Sequence, residues 1–217
     1  MFENLKTQLN GDFGCLCICL GYTYDSEIRK KFIHVAKNFG FANVHITDWC
    51  SMNYYDLVPR LSDYRITGGD VIWIFCGKYC YVWEKGRYFA EMEDEYEYKD
   101  TVGSLKWIRR ESDTNPDYII YGDIYDTKWK TVEKIFKNAV VLRYTSLNNV
   151  EGVLMGALLM TNYTHLYQYK TEGMLERDIK VKINGRIIFS VDKWQWLPFV
   201  DRKFVTKPYG CNTLEVC

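Results

Sequence analysis

The order strand, helix, strand over residues 13 to 47 constrains this chain more than any other feature. Phe13 to Tyr24 reads as a buried strand that is apolar on both faces. Cys15, Cys17 and Cys19 lie on one face and Leu16, Ile18 and Leu20 on the other. Asp25 or Ser26 can cap the helix that follows. Ile28, Phe32, Val35, Ala36 and Phe39 form its apolar stripe, and Gly40 stops it. Phe41 to Thr47 then alternates, with Val44 and Ile46 inward, as a second strand should. A short helix around Asn53 to Val58 precedes Pro59.

A meander comes next. Val71 to Cys76 and Tyr79 to Trp83 are strand-like, and Gly77-Lys78 joins them as a two-residue hairpin loop. Lys85-Gly86 reads as a second turn, leading into Arg87 to Met92. An acidic, tyrosine-rich run from Glu91 to Asp100 is either a solvated sheet edge or a surface for a cation or a basic partner. Gly103 to Arg110 reads as a short helix. The alternation then repeats: strand Asp117 to Ile124, helix Thr127 to Asn138 with Trp129, Val132 and Phe136 on one face, strand Ala139 to Tyr144. Leu147 to about Tyr163 is apolar enough to expect burial on most of its sides. Ile179 to Val191 carries the strongest local signal, two β-rich runs flanking Asn184-Gly185, the preferred pair of a type I′ turn. These elements predict a mixed α+β or α/β fold. The expectation is a single compact domain over residues 1–217, with a mixed β-sheet including hairpins, covered by helices, and an irregular tail at 194–217.

A chain of 217 residues can bury a core without help from metal or disulfides. Its 28 basic and 28 acidic residues cancel, which argues against nucleic-acid binding through bulk positive charge and removes a barrier to self-association. Aromatic residues make up 17%, including 18 Tyr, a type favoured where one end of a side chain is apolar and the other meets water or a partner. Met1 to Gln8 is polar, no secretion signal is legible, and no stretch reaches the length of a membrane span. The expected setting is a reducing cytosol, without secretion and without a membrane partner.

Motifs that carry chemistry are sparse. The first strand-to-helix turn, Gly21-Tyr22-Thr23-Tyr24-Asp25-Ser26, lacks the glycine spacing of a dinucleotide site, and Asp25 would repel phosphate. His34, His45 and His165 have no companion motif, and His45 should point away from the core. The cysteines are not spaced as zinc ligands. Cys15, Cys17 and Cys19 alternate along one strand, roughly 6.5–7 Å apart, too far to bond to one another easily. Cys76 and Cys80 flank a hairpin, where packing is the favoured role. Cys211 and Cys217 sit in the tail, where a disulfide within the tail or between chains would form in an oxidising compartment. Asn162-Tyr163-Thr164 is a glycosylation sequon, idle without secretion. No catalytic residue, metal ligand or cofactor-binding residue is assigned, and no cofactor is required.

Leu9-Asn10-Gly11-Asp12, the apolar strand after it, and Tyr22-Thr23-Tyr24-Asp25 resemble the early part of cypovirus polyhedrins. The chain is also similar to that family in size, tyrosine richness and near-neutral charge. The resemblance implies a self-assembling structural protein, the crystalline matrix of a viral occlusion body in the host-cell cytoplasm. Its partners would be other copies of itself and enclosed virus particles, and a nucleotide could be trapped between copies. Release would follow tyrosine ionisation in the alkaline gut, since tyrosine titrates near pH 10. Tyr22, Tyr24, Tyr96 and Tyr98 are the candidate alkaline-sensitive contacts. The alternative is a small Rossmann-like α/β enzyme acting on a nucleotide or related metabolite. Its pocket would lie at the carboxyl ends of the strands, near Tyr22 to Ser26 and His45 to Cys50.

Overall fold

The computed structural model describes residues 14–21, 26–99, 101–122, 129–147, 149–161, 163–171, 173–174, 179–191, 196–197 and 214–216. The chain divides into two compact units, Met1–Thr171 and Glu172–Cys217. The fold is mixed α+β.

The first unit opens with strand β1 (Cys15–Cys19), helix α1 (Ser26–Asn38) and strand β2 (Asn43–Thr47). β1 and β2 pair in parallel, Cys15 opposite Asn43 through Cys19 opposite Thr47. They form a two-stranded sheet of their own. The expected periodicities explain the packing: Leu16, Ile18 and Val44 meet Phe32, Ala36 and Phe39 of the helix. Val35 faces out instead. Asp48 then caps helix α2 (Trp49–Leu57), accepting from both the backbone N–H and the hydroxyl of Ser51 at 2.7 and 2.8 Å. Eight of its nine residues are buried, so the short helix expected near residue 53 is a core helix that begins four residues earlier. A 3-10 turn, Val58–Leu61, takes Pro59 at its start and ends it.

A five-stranded sheet follows. It is made from β3 (Val71–Cys76), β4 (Tyr79–Lys85), β5 (Ala90–Glu97), β6 (Tyr118–Gly122) and β7 (Val140–Tyr144), in the order β5-β4-β3-β6-β7. β3, β4 and β5 run as an antiparallel meander, and β6 and β7 join parallel to β3. The parallel joins need crossovers, supplied by α3 (Val102–Glu111) and α4 (Trp129–Ile135). Both crossover helices pack on one face, where Val71, Trp73, Phe75, Val82, Ile119 and Tyr121 meet Leu105, Ile108, Val132 and Phe136. The acidic run is the edge strand β5. Charge on an edge blocks pairing with another chain, so its place fits the solvated-edge reading.

Helix α5 (Asn149–Leu159) corrects the expectation of burial on most sides. Its inward face is glycine: a side chain at Gly152 would collide with the Met52 carbonyl, and one at Gly156 would stand 3.3 Å from the Cys17 sulfur. The helix thus lies close against α2 and β1. Leu159 is buried with the two glycines, while Val150 and Leu154 turn outward, 75% and 55% exposed.

In the second unit, β8 (Gly173–Met174) pairs with β11 (Trp196–Leu197). The Asn184-Gly185 hairpin forms as its sequence demands, joining β9 (Ile179–Ile183) to β10 (Arg186–Val191). Both turn residues have positive φ, 49° and 75°, as a type I′ turn requires. β12 (Leu214–Val216) adds to the other side of β9, so the described parts of the tail at 194–217 are strand rather than irregular chain.

Candidate functional site

Alternation along β4 decides what lies beneath α2. Cys80 and Val82 face the crossover helices, so Tyr81, Trp83 and Lys85 share the opposite face. There α2 covers them. The rings of Tyr54 and Trp83 are 4.6 Å apart, and the Cys50 thiol stands beside the Tyr81 hydroxyl. Lys85 reaches this position because β4 runs on past Trp83: its N–H donates to the Asp70 carbonyl at 2.8 Å, and Gly69 N–H donates back to its own carbonyl. The expected turn at Lys85-Gly86 therefore starts one residue later.

The polar ends of these side chains are enclosed. Among the described residues, seven buried side-chain nitrogen or oxygen atoms have no hydrogen-bond partner, and six belong to Asn53, Tyr54, Tyr81, Trp83 and Lys85. Buried polar atoms are ordinarily paired, so such a concentration in one seam calls for a cause. Lys85 is the most telling member. It is 8% exposed, and burial pushes its pKa below the ordinary lysine value with no acidic neighbour among the described residues to oppose the shift. Asp56, also on α2, shows the contrast: its buried carboxylate is met by the Arg60 guanidinium at 2.8 Å.

Beside the seam is a cavity of about 350 Å³. Lys85 and Tyr54 line it together with Leu61, Tyr64, Arg65, Ile66, Gln168 and Tyr169. It lies where β3 and β6 begin, since Lys85 pairs with Asp70 just ahead of β3 and Tyr64 packs on Tyr118 at the start of β6. The Rossmann-like expectation looked elsewhere, to the carboxyl ends of β1 and β2, which form a separate two-stranded sheet.

The other candidates disperse. Burial first, and the neighbouring cysteines second, push the Cys17 thiol up to about 12; burial pushes Cys19 up to about 11. Neither presents a thiolate at neutral pH, as a nucleophile or metal ligand must. Cys15, Cys17, Cys19, Cys50, Cys76 and Cys80 are free thiols, in keeping with their packing spacings. His45 does not point out as expected. It sits opposite Cys17, half-buried, and desolvation lowers its pKa. His34 is exposed and bonds to Asn38, and His165 is exposed with its ring edge-on to Tyr163. Among the described residues no three His, Cys, Asp or Glu side chains gather as a metal site would need.

The candidate alkaline-sensitive tyrosines fall into two groups. Tyr22 and Tyr24 lie outside the described residues, as do Cys211, Cys217 and Asn162. Tyr98 is 5% exposed, edge-on to Phe75 at 5.1 Å in the main core, where another copy of the chain could not reach it. Tyr96 on β5 is half-buried beside Trp107, and burial with Asp94 nearby pushes its hydroxyl up to about 12.

The seam was missed in the sequence because Lys85 read as a turn residue. The signal was there: with Tyr81 and Trp83 inward, a strand two residues longer carries Lys85 inward too. No helix among the described residues is long and apolar enough to cross a membrane. No protein-family model matches the sequence, and no curated protein is significantly similar to it.

Proposed function

We propose that this protein binds a small molecule in the cavity between α2 and β4. The observation that carries the reading is Lys85, a buried cation without an ionic partner among the described residues, lining a cavity of about 350 Å³. That volume is within the roughly 300–1,000 Å³ usual for small-ligand sites, and the lining mixes apolar and aromatic side chains with the polar groups of Ser62, Arg65, Lys85 and Gln168. An enzyme acting on a nucleotide or related metabolite is one form this function could take, with the ligand seated at the amino ends of the parallel strands. The test is a thermal-shift panel of small metabolites run on the wild type and on Lys85→Met. A compound that stabilises only the wild type supports the reading. A panel in which every stabilising compound acts equally on both proteins removes it.

The self-assembling occlusion-body matrix is a second reading. What favours it is the apolar outer face of α5, with Val150 and Leu154 exposed, on a chain of zero net charge. It carries with it a place in the host-cell cytoplasm, copies of itself and virus particles as partners, and a disulfide at Cys211 or Cys217. Tyrosine richness lends it less than composition suggested, because Tyr54, Tyr55, Tyr81, Tyr98, Tyr121 and Tyr144 are all spent on the core. Sedimentation at high concentration across pH 7 to 11 tests it. Ordered particles that dissolve at the alkaline end support it, and a monomer throughout ends it.

A further inference from the structure

We propose that the α2–β4 cavity is an oxyanion site, taking a small molecule that presents a carboxylate or phosphate to Lys85 and Tyr54, with the exposed Arg65 beside them. The inference rests on the small-molecule reading above and adds the chemical class of the ligand.

The argument is one of donors and acceptors. An ammonium has three donors and no acceptor, an indole N–H is donor only, and a guanidinium has five donors and no acceptor. Lys85, buried at the cavity wall, therefore requires acceptors, and the exposed Arg65 offers further donors beside it. The Tyr54 hydroxyl, which lines the cavity too, can donate as well. The nearby carboxylates are spoken for. Asp56 is held by Arg60, and Asp70 accepts from the N–H and hydroxyl of Thr67. Among the described residues no acidic side chain lines the cavity. Ser62 and Gln168, whose neutral oxygens can accept, line the cavity too, but among the described residues that line it none brings the ammonium a negative charge, so that charge must come from what enters. A ligand oxygen with negative charge does this best, because hydrogen bonds between ions are stronger than neutral ones and the buried ammonium gains its missing counter-charge. The downward shift of Lys85, caused by desolvation alone, agrees with an ammonium that has no anion beside it. The rings of Tyr64 and Tyr169 line the same cavity, so the rest of the ligand meets aromatic surface.

Four probes with one ring and different head groups separate the outcomes: benzoate, phenyl phosphate, benzamide and benzylamine. Each is titrated into the full-length protein while the side-chain carbon resonance of Lys85, assigned with Lys85→Arg, is followed. Benzoate or phenyl phosphate should bind roughly tenfold or more tightly than benzamide and benzylamine, given the strength of a hydrogen bond to a charged group. The better of the two anions tells carboxylate from phosphate. Lys85→Met should lose that advantage and Lys85→Arg should keep part of it. If benzamide or benzylamine binds at Lys85 as well as the anions, the oxyanion assignment falls and the small-molecule site stands. If none of the four moves the Lys85 resonance at millimolar concentration, the oxyanion assignment and the small-molecule site fall together.

Discussion

Replacing Lys85 by methionine should stabilise the free protein. Methionine keeps the unbranched stem and deletes the ammonium. The size of the effect has a ceiling, because a buried amine can always shed its proton. Doing so at pH 7 from the ordinary lysine value of 10.5 costs about 5 kcal/mol, at about 1.4 kcal/mol per pH unit. Burial lowers the pKa of Lys85, so the folded protein bears part of that cost. A gain of about 1–2 kcal/mol is expected, equivalent to roughly 2–8 °C in Tm for a chain of this size. Its pH dependence has a definite sign. A lysine whose folded pKa lies below its unfolded one binds fewer protons when folded, so its burden is full below the folded pKa and lifts as pH approaches 10.5. The advantage of Lys85→Met should therefore shrink as pH rises toward 10.5. Urea unfolding followed by tryptophan fluorescence reads both quantities. A variant destabilised by more than about 1 kcal/mol, with its pH profile unchanged, would mean that the ammonium has a partner in solution, and the donor–acceptor argument for the cavity would fail with it.

Other perturbations test the packing around the site. Gly152→Ala forces a methyl into the Met52 carbonyl and should cost about 1–3 kcal/mol or more in urea unfolding; a neutral result would show that α5 does not lie so close to α2. Asp48→Ala removes the cap of α2 and should cost about 1 kcal/mol, with Asp48→Asn losing less, measured the same way. Tyr144→Phe strips the buried hydroxyl that donates to the Phe75 carbonyl at 2.9 Å and should cost about 1–3 kcal/mol. At high pH the intact protein should unfold. Burial holds Tyr55, Tyr96 and Cys17 up at about 12 against ordinary values of 10.0 and 9.0, so the stability they lend is whole below about pH 9 and lost as pH rises toward 12. Near-ultraviolet circular dichroism and tyrosinate absorbance should change together in that window, and a chain that keeps its tertiary signal while its tyrosines ionise contradicts the burial described.

Much of the fold could be read from the sequence where pattern and local chemistry agreed. The strand–helix–strand start, the Val71–Cys76 hairpin and the Asn184-Gly185 turn follow from period, stop signals and turn residues that act over a few positions. Which strands would share a sheet could not be read. β1 and β2 form a separate pair, and β6 and β7 join β3 only because α3 and α4 carry the chain back across its face. Helix α5 was misjudged for a related reason. Its apolar content is high all round, but close approach to α2 favours glycine, so Gly152 and Gly156 took the buried side with Leu159, and Val150 and Leu154 were left outside.

Part of the aromatic load, Tyr54, Trp73, Tyr81, Trp83 and Tyr121 among it, is core, and that relocates the functional question. A tyrosine or tryptophan on a buried strand face satisfies the apolar pattern and brings a polar atom with it. Tyr81 and Trp83 did so on β4, and α2 closed over them with Asn53 and Tyr54, leaving polar ends enclosed. Pattern alone scores each of these residues as a good core choice. The conflict exists only once strand and helix are brought face to face. Lys85 raises it from an untidy core to a chemical demand, because a tyrosine can remain neutral and unpaired at moderate expense, whereas an ammonium needs a counter-charge or must give up its proton. Extending β4 by two residues, from the Trp83 of the sequence pattern to Lys85, is what brings that demand to the cavity wall.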